Sequence, residues 1–328
     1  MSARPPLRPD ELKPFSGWWP FAAGALVGLG LRLFFWGSPG EPNAVMTVAF
    51  IFLAPFAVGA VTVYCAERQQ QRTWWFYVWA SMWATMLAVV GTLLIMIEGI
   101  ICAIIILPLF SLLGAVGGLI MGVVCRLTNW PKPTVSCILL LPLIGGSFDF
   151  DARLPQTVDT VERTTVVAAS SATVWREILD APAIEPAEID RAWLFRIGVP
   201  LPLEGRLRTD AGETLRSVRM SKDVYFDEVI QELREPEFVR WTYRFYDDSF
   251  PPYALDEHVV IGGHYFDVLD TSYTLRPRGD ATELTVRLSY RISTNFNWYA
   301  RPVMRFLLGD LAERNVEYYR QRSEDALK

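Results

Sequence analysis

The amino-acid sequence predicts a chain in two parts: an α-helical transmembrane bundle of four to five spans in residues 1–148 and, after a linker at 149–156, an α+β domain in 157–328 with a seven-stranded antiparallel sheet and a long C-terminal helix. Three observations predict it. Of 328 residues, 51% are apolar and only 20% charged, above the apolar balance of a soluble globular protein. Charge is unevenly shared: residues 1–150 carry 8 Lys and Arg against 6 Asp and Glu, whereas residues 151–328 carry 23 against 30. The hydrophobic pattern also changes, from long unbroken apolar runs to period-two alternation.

A spanning helix needs about 20 predominantly apolar residues to cross about 30 Å of hydrocarbon. Residues 18–36, 45–65, 74–97 and 99–125 meet that length, and a shorter fifth run, 134–148, contains Pro142. Trp18, Trp19 and Trp36 bracket the first run, and Trp74 and Trp75 open the third, as interfacial residues do. Gly24 and Gly28, then Gly114, Gly118 and Gly122, repeat at four-residue spacing, which suits close helix packing in lipid. Trp75, Trp79 and Trp83 form a stripe expected to pack or to face lipid, and Arg32 and Glu98, the charges nearest to membrane depth, are expected to snorkel from span ends.

Basic residues mark the cytoplasmic loops: Arg4, Arg8 and Lys13 precede the first span, Arg68 and Arg72 follow the second, and Arg126 and Lys132 follow the fourth. This predicts a cytoplasmic N-terminus. If the fifth run crosses, the C-terminal domain lies outside, which in a bacterial inner membrane means the periplasm; if it does not, the domain is cytoplasmic. Cys65, Cys102, Cys125 and Cys137 all fall in the apolar part at spacings that match neither a zinc site nor a redox pair. The second part has no basic stripe, which argues against a nucleic-acid partner.

In the second part, Val239, Trp241, Tyr243 and Phe245 alternate with Arg240, Thr242 and Arg244, and Leu284, Val286, Leu288, Tyr290 and Ile292 alternate with polar neighbours. Each is a strand with one buried face. Further strands are expected at 158–168, 203–210, 213–221, 223–233 and 264–276, with turns at Asp210-Ala211-Gly212 and Arg278-Gly279-Asp280. Ser170 or Ser171 caps a helix carrying Val174, Trp175, Ile178 and Leu179, and Pro186 opens another. From about 298 to 325, Ala300, Met304, Leu307, Leu308, Leu311, Tyr318 and Tyr319 hold one apolar face at helical spacing.

The order strand, two short helices, six strands and long helix, with Ala169-Ser170-Ser171-Ala172-Thr173-Val174-Trp175 entering the first helix, resembles the START-like or Bet v 1-like superfamily, also called SRPBCC or polyketide cyclase/dehydrase-like. The resemblance covers roughly residues 157–326. Ile197-Gly198-Val199-Pro200, Ile261-Gly262-Gly263-His264-Tyr265-Phe266-Asp267 and Thr294-Asn295-Phe296-Asn297-Trp298-Tyr299-Ala300 are similar to segments of membrane-anchored bacterial members. It implies a helix-grip fold, a sheet wrapped on the long helix around a cavity for lipids, sterols, polyketides or other apolar molecules. Trp175, Trp241, Tyr243, Phe245, His264, Phe266, Tyr290, Trp298 and Met304 are the expected lining or mouth of that cavity.

Chemistry has few candidates. His258 and His264, near Asp256, Glu257 and Asp267, flank Gly262-Gly263, which can bring the imidazoles together, although their spacing matches no established ligand motif. Asp227, Glu228 and Glu232 lie on one strand, so one carboxylate can face inward as an acid or base or pair with Arg216, Arg219 or Arg240. No nucleophile elbow, phosphate loop or dinucleotide fingerprint occurs. No metal or cofactor is expected. Three readings remain: a membrane-anchored carrier of a lipid or other apolar molecule, a cyclase or dehydratase on an apolar substrate, and a non-catalytic module that engages membrane-protein partners or a second copy. An inward Asp, Glu or His favours the enzyme.

Overall fold

The computed structural model describes residues 17–38, 41, 43–128, 142–145, 154–210, 212–256 and 258–328. The chain divides into two compact units, Met1–Leu154 and Pro155–Lys328.

In the first unit, α1 (Trp19–Phe34) is followed by a π-helical turn at Ala49–Leu53 that runs into α2 (Ala54–Glu67), then α3 (Trp74–Leu94) and α4 (Ile100–Leu127). Among the described residues, three helices are long and apolar enough to cross a membrane: Ala49–Glu67, Trp74–Leu94 and Ile100–Leu127. The first expected span is shorter than its apolar run, with 16 helical residues in α1. The fifth, 134–148, lies mostly outside the described residues; 142–145 form one helical turn.

Small residues let the helices meet. A Cβ on Gly118 would stand 2.0 Å from Ser81 Oγ of α3, and one on Gly59 would stand 1.8 Å from the Gly114 carbonyl of α4. Trp75, Trp79 and Trp83 are exposed on the outer side of α3. The expectation that Arg32 and Glu98 snorkel is corrected: Arg32 is buried and pairs with half-buried Glu98, and it also donates to the carbonyls of Phe35 (2.8 Å) and Ile97 (3.1 Å). A buried charge is tolerated when its hydrogen-bonding groups are matched.

The opposite ends of α2 identify two ends of the bundle. At the Glu67 end, Glu67 accepts from the Tyr77 hydroxyl (2.8 Å), and Arg126 of α4 donates to Tyr77 (3.1 Å) and to the Arg72 carbonyl (2.8 Å). At the Ala49 end, Gly145 rests on Ala49 and Leu53, where an added Cβ would lie 3.2 and 3.5 Å from their side chains. Leu127 and Gly145 are therefore at opposite ends.

The second unit is a seven-stranded antiparallel sheet with one long helix. Its strands are β1 (Gln156–Val167), β2 (Pro202–Asp210), β3 (Glu213–Met220), β4 (Tyr225–Arg234), β5 (Phe238–Arg244), β6 (Phe266–Arg278) and β7 (Ala281–Ser293), in spatial order β1-β7-β6-β5-β4-β3-β2. Between β1 and β2 come α5 (Ser171–Leu179), α6 (Pro186–Ile189) and α7 (Trp193–Arg196), one helix more than the sequence suggests. Ser170 caps α5 by accepting from the Thr173 amide (3.3 Å). The final helix, α8 (Asn297–Asp325), packs its backbone on β1 and β7. The strand order and the C-terminal helix are those of a helix-grip fold.

Register shifts at Ile230/Glu232 in β4 and Val268/Asp270 in β6 are the bulges by which such a sheet bends. The β2 edge is closed at Gly205, whose amide and carbonyl both bond Ala181, at 2.9 and 2.8 Å. The inner face holds the core: Val161 and Val167 of β1, Leu284, Val286 and Leu288 of β7, and Leu307, Leu308, Ala312 and Val316 of α8 are buried.

Candidate functional site

The alternation that buries one face of β3, β4 and β5 also buries two charges. Arg216 of β3, Glu228 of β4 and Tyr243 of β5 are successive register partners, so their side chains stand in one row on the inner face. Arg216 Nη1 donates to Glu228 Oε2 at 2.6 Å, and both residues are more than nine-tenths buried. Gly205 makes room for the guanidinium, because a Cβ there would fall 2.3 Å from Arg216 Nη2.

Aromatic side chains enclose the pair. Arg216 lies 5.6 Å over the Trp241 ring, Trp241 contacts Tyr273 at 5.2 Å, and Tyr273 meets Tyr319 of α8 edge-on at 5.5 Å. Tyr319 in turn contacts Tyr318 at 5.0 Å. Toward the middle of the sheet, long side chains thus bridge from helix to strands. Tyr243 shares a 2.6 Å hydrogen bond with Thr271, and Asn315 donates to the Tyr273 hydroxyl at 3.3 Å.

Among the described residues, three polar groups of this cluster lack a partner: Arg216 Nε, Trp241 Nε1 and the Tyr318 hydroxyl are buried without a hydrogen bond. A buried donor left unmade costs about 1–3 kcal/mol, so each is a place where a bound polar atom would be favoured.

Burial pushes the Glu228 carboxyl up from its ordinary value, against the pull of Arg216. Arg216 stays charged: burial disfavours its charge, and the facing carboxylate outweighs that. Burial likewise raises the Tyr243, Tyr273 and Tyr319 hydroxyls. The adjacent Asp227 points to the other face of β4. Burial works to raise it, but hydrogen bonds from Ser217 (2.6 Å), Tyr246 (2.6 Å) and Arg208 (2.8 Å) win and hold it below its ordinary value. Two consecutive carboxyl groups therefore move in opposite directions.

Of the residues expected to line a cavity, Trp241 and Tyr243 belong to this cluster. Trp175 is buried on α5 with its indole N–H unbonded, and Tyr290 is buried on β7 beside half-buried Phe266. Phe245 lies just past β5 and packs with Phe226, Tyr243 and Phe250; Met304 is half-buried on α8. His264 and Trp298 stand on the surface. Both imidazoles pack against Tyr265, His264 at 4.9 Å and His258 at 6.0 Å, and no group of three metal-ligating side chains occurs among the described residues. The carboxylate that faces inward is Glu228, one of the three on β4 that the sequence offered. Tyr318, Tyr319, Tyr273 and Asn315 were not singled out as site residues, since a tyrosine on an apolar stripe reads as core.

No protein-family model matches the chain, and no curated protein matches it. Solved structures similar to its second half include a norcoclaurine synthase point mutant from Thalictrum flavum in complex with a transition-state analogue (12% identity, 54% of this chain and 100% of that chain, TM-score 0.33). A START superfamily protein from Mycobacterium smegmatis is similar at 16% identity, over 51% of this chain and 98% of its own, with a TM-score of 0.32. Ara h 8.0201 is similar at 12% identity, over 52% and 98%, with a TM-score of 0.30.

Proposed function

We propose that the C-terminal unit binds an amphipathic small molecule, a lipid or a compound of similar build, between the inner face of its sheet and α8, and that the N-terminal unit anchors it in a membrane. The observation that carries this reading is the Arg216–Glu228 pair with its unpartnered Arg216 Nε and Tyr318 hydroxyl, set among aromatic rings. An apolar body gains about 25 cal/mol per Å² by burial, and an acidic head group at Arg216 fixes its orientation. Attachment to the membrane keeps carrier and cargo at one surface and raises their effective concentration.

The ends of the bundle support one sidedness for the proposed anchor. Arg68, Arg72 and Arg126 gather where Glu67 lies, and Gly145 rests at the other end, so the chain leaves the membrane on the side away from those arginines. In a bacterial inner membrane that side is the periplasm. A reporter fused after Lys328 tests this; activity only in the cytoplasm overturns it.

Native mass spectrometry of the full chain in mild detergent tests the ligand reading. One recurrent acidic lipid is expected on the wild type and is expected to be lost from the Arg216→Met/Glu228→Leu double variant, which keeps the core filled. Equal retention by the two proteins refutes the site.

One observation favours a second reading: Glu228 is an inward carboxyl raised by burial, as a general acid or base on an apolar substrate requires. Glu228→Gln separates the two, because an enzyme loses turnover while a carrier keeps its cargo.

A further inference from the structure

The second unit hides most of its Trp and Phe side chains, and the exceptions lie on α7 and α8. Among its described residues, the only exposed Trp and Phe side chains are Trp193 (47%), Trp298 (64%) and Phe306 (58%). Trp193, on α7, contacts Phe306 of α8 with ring centroids 6.5 Å apart, and its amide is fixed by Asp310 Oδ2 at 2.7 Å. Trp298 lies two turns before Phe306 on α8, with exposed Pro302 between them. Three apolar rings on a solvated face have an unfavourable exposure that a partner would relieve.

The rim of this face is basic. Arg196 stacks on Trp193 at 5.5 Å, and exposed Arg301 and Arg305 run beside Trp298 and Phe306. Asp159 pairs with Arg301 at 2.8 Å and lies 3.8 Å from Arg305, so one carboxylate faces two guanidinium groups there and the rim keeps a positive excess. Trp and Phe flanked by Arg is the composition of a surface that settles at the level of lipid head groups, where rings enter the acyl boundary and cations meet phosphate.

The path of the chain selects the bilayer as the occupant. Asn297, the residue before Trp298, donates from Nδ2 to the Pro155 carbonyl (2.7 Å) and to Thr157 Oγ1 (3.0 Å), so the unit's entry point is fastened beside the aromatic face. Gly145, packed on Ala49 and Leu53 of a helix long and apolar enough to cross a membrane, precedes Pro155 by ten residues. That length of chain extends at most about 36 Å.

We propose that the face formed by Trp193, Trp298 and Phe306, with Arg196, Arg301 and Arg305, docks on the bilayer that holds the N-terminal unit, and that it takes anionic phospholipid. This surface is separate from the Arg216 cluster and does not depend on what the interior binds.

Site-directed spin labelling of the full chain in nanodiscs tests the proposal, with Cys65, Cys102, Cys125 and Cys137 replaced by Ala and a single label placed at 298, 306 or, as an exposed control on β7, 287. In discs of phosphatidylcholine with about 30% phosphatidylglycerol, labels at 298 and 306 are expected to favour collision with oxygen over a water-soluble nickel chelate by about threefold relative to the control. In pure phosphatidylcholine, or with Arg196→Gln and Arg305→Gln, that ratio is expected to fall toward the control. Labels as aqueous as the control in both lipids overturn the proposal, as do labels shielded from both reagents, which would mean that protein covers the face. Hydrogen exchange of the native chain is the check if the cysteine-free protein does not fold. Residues 191–198 and 297–307 should exchange more slowly in phosphatidylglycerol discs than in phosphatidylcholine, and equal rates would overturn it.

Discussion

Each unit buries one arginine and pairs it with a glutamate, and the two pairs are satisfied differently. Arg32 in the N-terminal unit reaches Glu98 and two backbone carbonyls, those of Phe35 and Ile97, so it ties the end of α1 to the α3–α4 loop with its hydrogen bonds distributed around the guanidinium. Among the described residues, Arg216 in the sheet reaches Glu228 alone, leaves Nε unpartnered, and lies over the Trp241 ring. A fully matched buried ion is a structural clamp, whereas an incompletely matched one retains capacity for something else.

The largest expected effect comes from breaking either pair on one side. Glu228→Ala should destabilise the C-terminal unit by about 3–5 kcal/mol, because it strands a buried guanidinium, while the Arg216→Met/Glu228→Leu double variant should recover most of that loss. Chemical denaturation of the full chain in detergent, followed by near-ultraviolet dichroism, reads both. Arg32→Met should also destabilise the N-terminal unit yet leave retention of the proposed ligand unchanged; loss of the ligand in that variant would mean that Arg32 is no mere clamp.

A subtler variant sharpens the contrast without removing a charge. Gly205→Ala places a methyl group against Arg216 Nη2 and forces the guanidinium away from Glu228. Overpacking of this kind costs about 1–3 kcal/mol, and ligand retention should fall with it. If retention stays at the wild-type level while stability drops, Arg216 does not contact the ligand.

Acid sensitivity offers a smaller effect with a defined sign. Asp159 is held below its ordinary value, chiefly by the Arg301 hydrogen bond. A carboxyl depressed in the folded state contributes stability that is present above its unfolded value of about 3.9 and is lost as pH falls through the folded value. Arg301→Gln should therefore lower stability near neutrality and converge with the wild type as pH falls through the folded value. Denaturation midpoints across that range measure it, and a constant offset at every pH would refute the assignment. Smallest of all, Ser170→Ala should cost about 1 kcal/mol through loss of the α5 cap.

Much of this architecture is legible in the sequence because alternation and long apolar runs are physical requirements of strands and spans. All seven strands overlap their expected ranges, two of them read from clear alternation, and α8 starts within one residue of its expected position. The interior pair was legible only in outline. Alternation puts Asp227 and Glu228 on opposite faces of β4, but the facing partner of each depends on the β3–β4 register. Four-residue α7 gave no signal because Trp193–Arg196 is too short for a helical period. Trp298 illustrates the converse ambiguity: hydrophobicity does not say whether a ring goes into a protein core or out toward a different apolar phase.

The closed edge at Gly205 bears on crowding. Proteins confined to a membrane meet one another at high local concentration, and an unpaired strand edge is then a template for chain-to-chain pairing. Ala181 occupies the donor and acceptor of Gly205 on β2, and β1 at the other edge carries the charged Glu162 and Arg163. The residue that leaves space for Arg216 inside the sheet thus also helps keep neighbouring copies from zipping together.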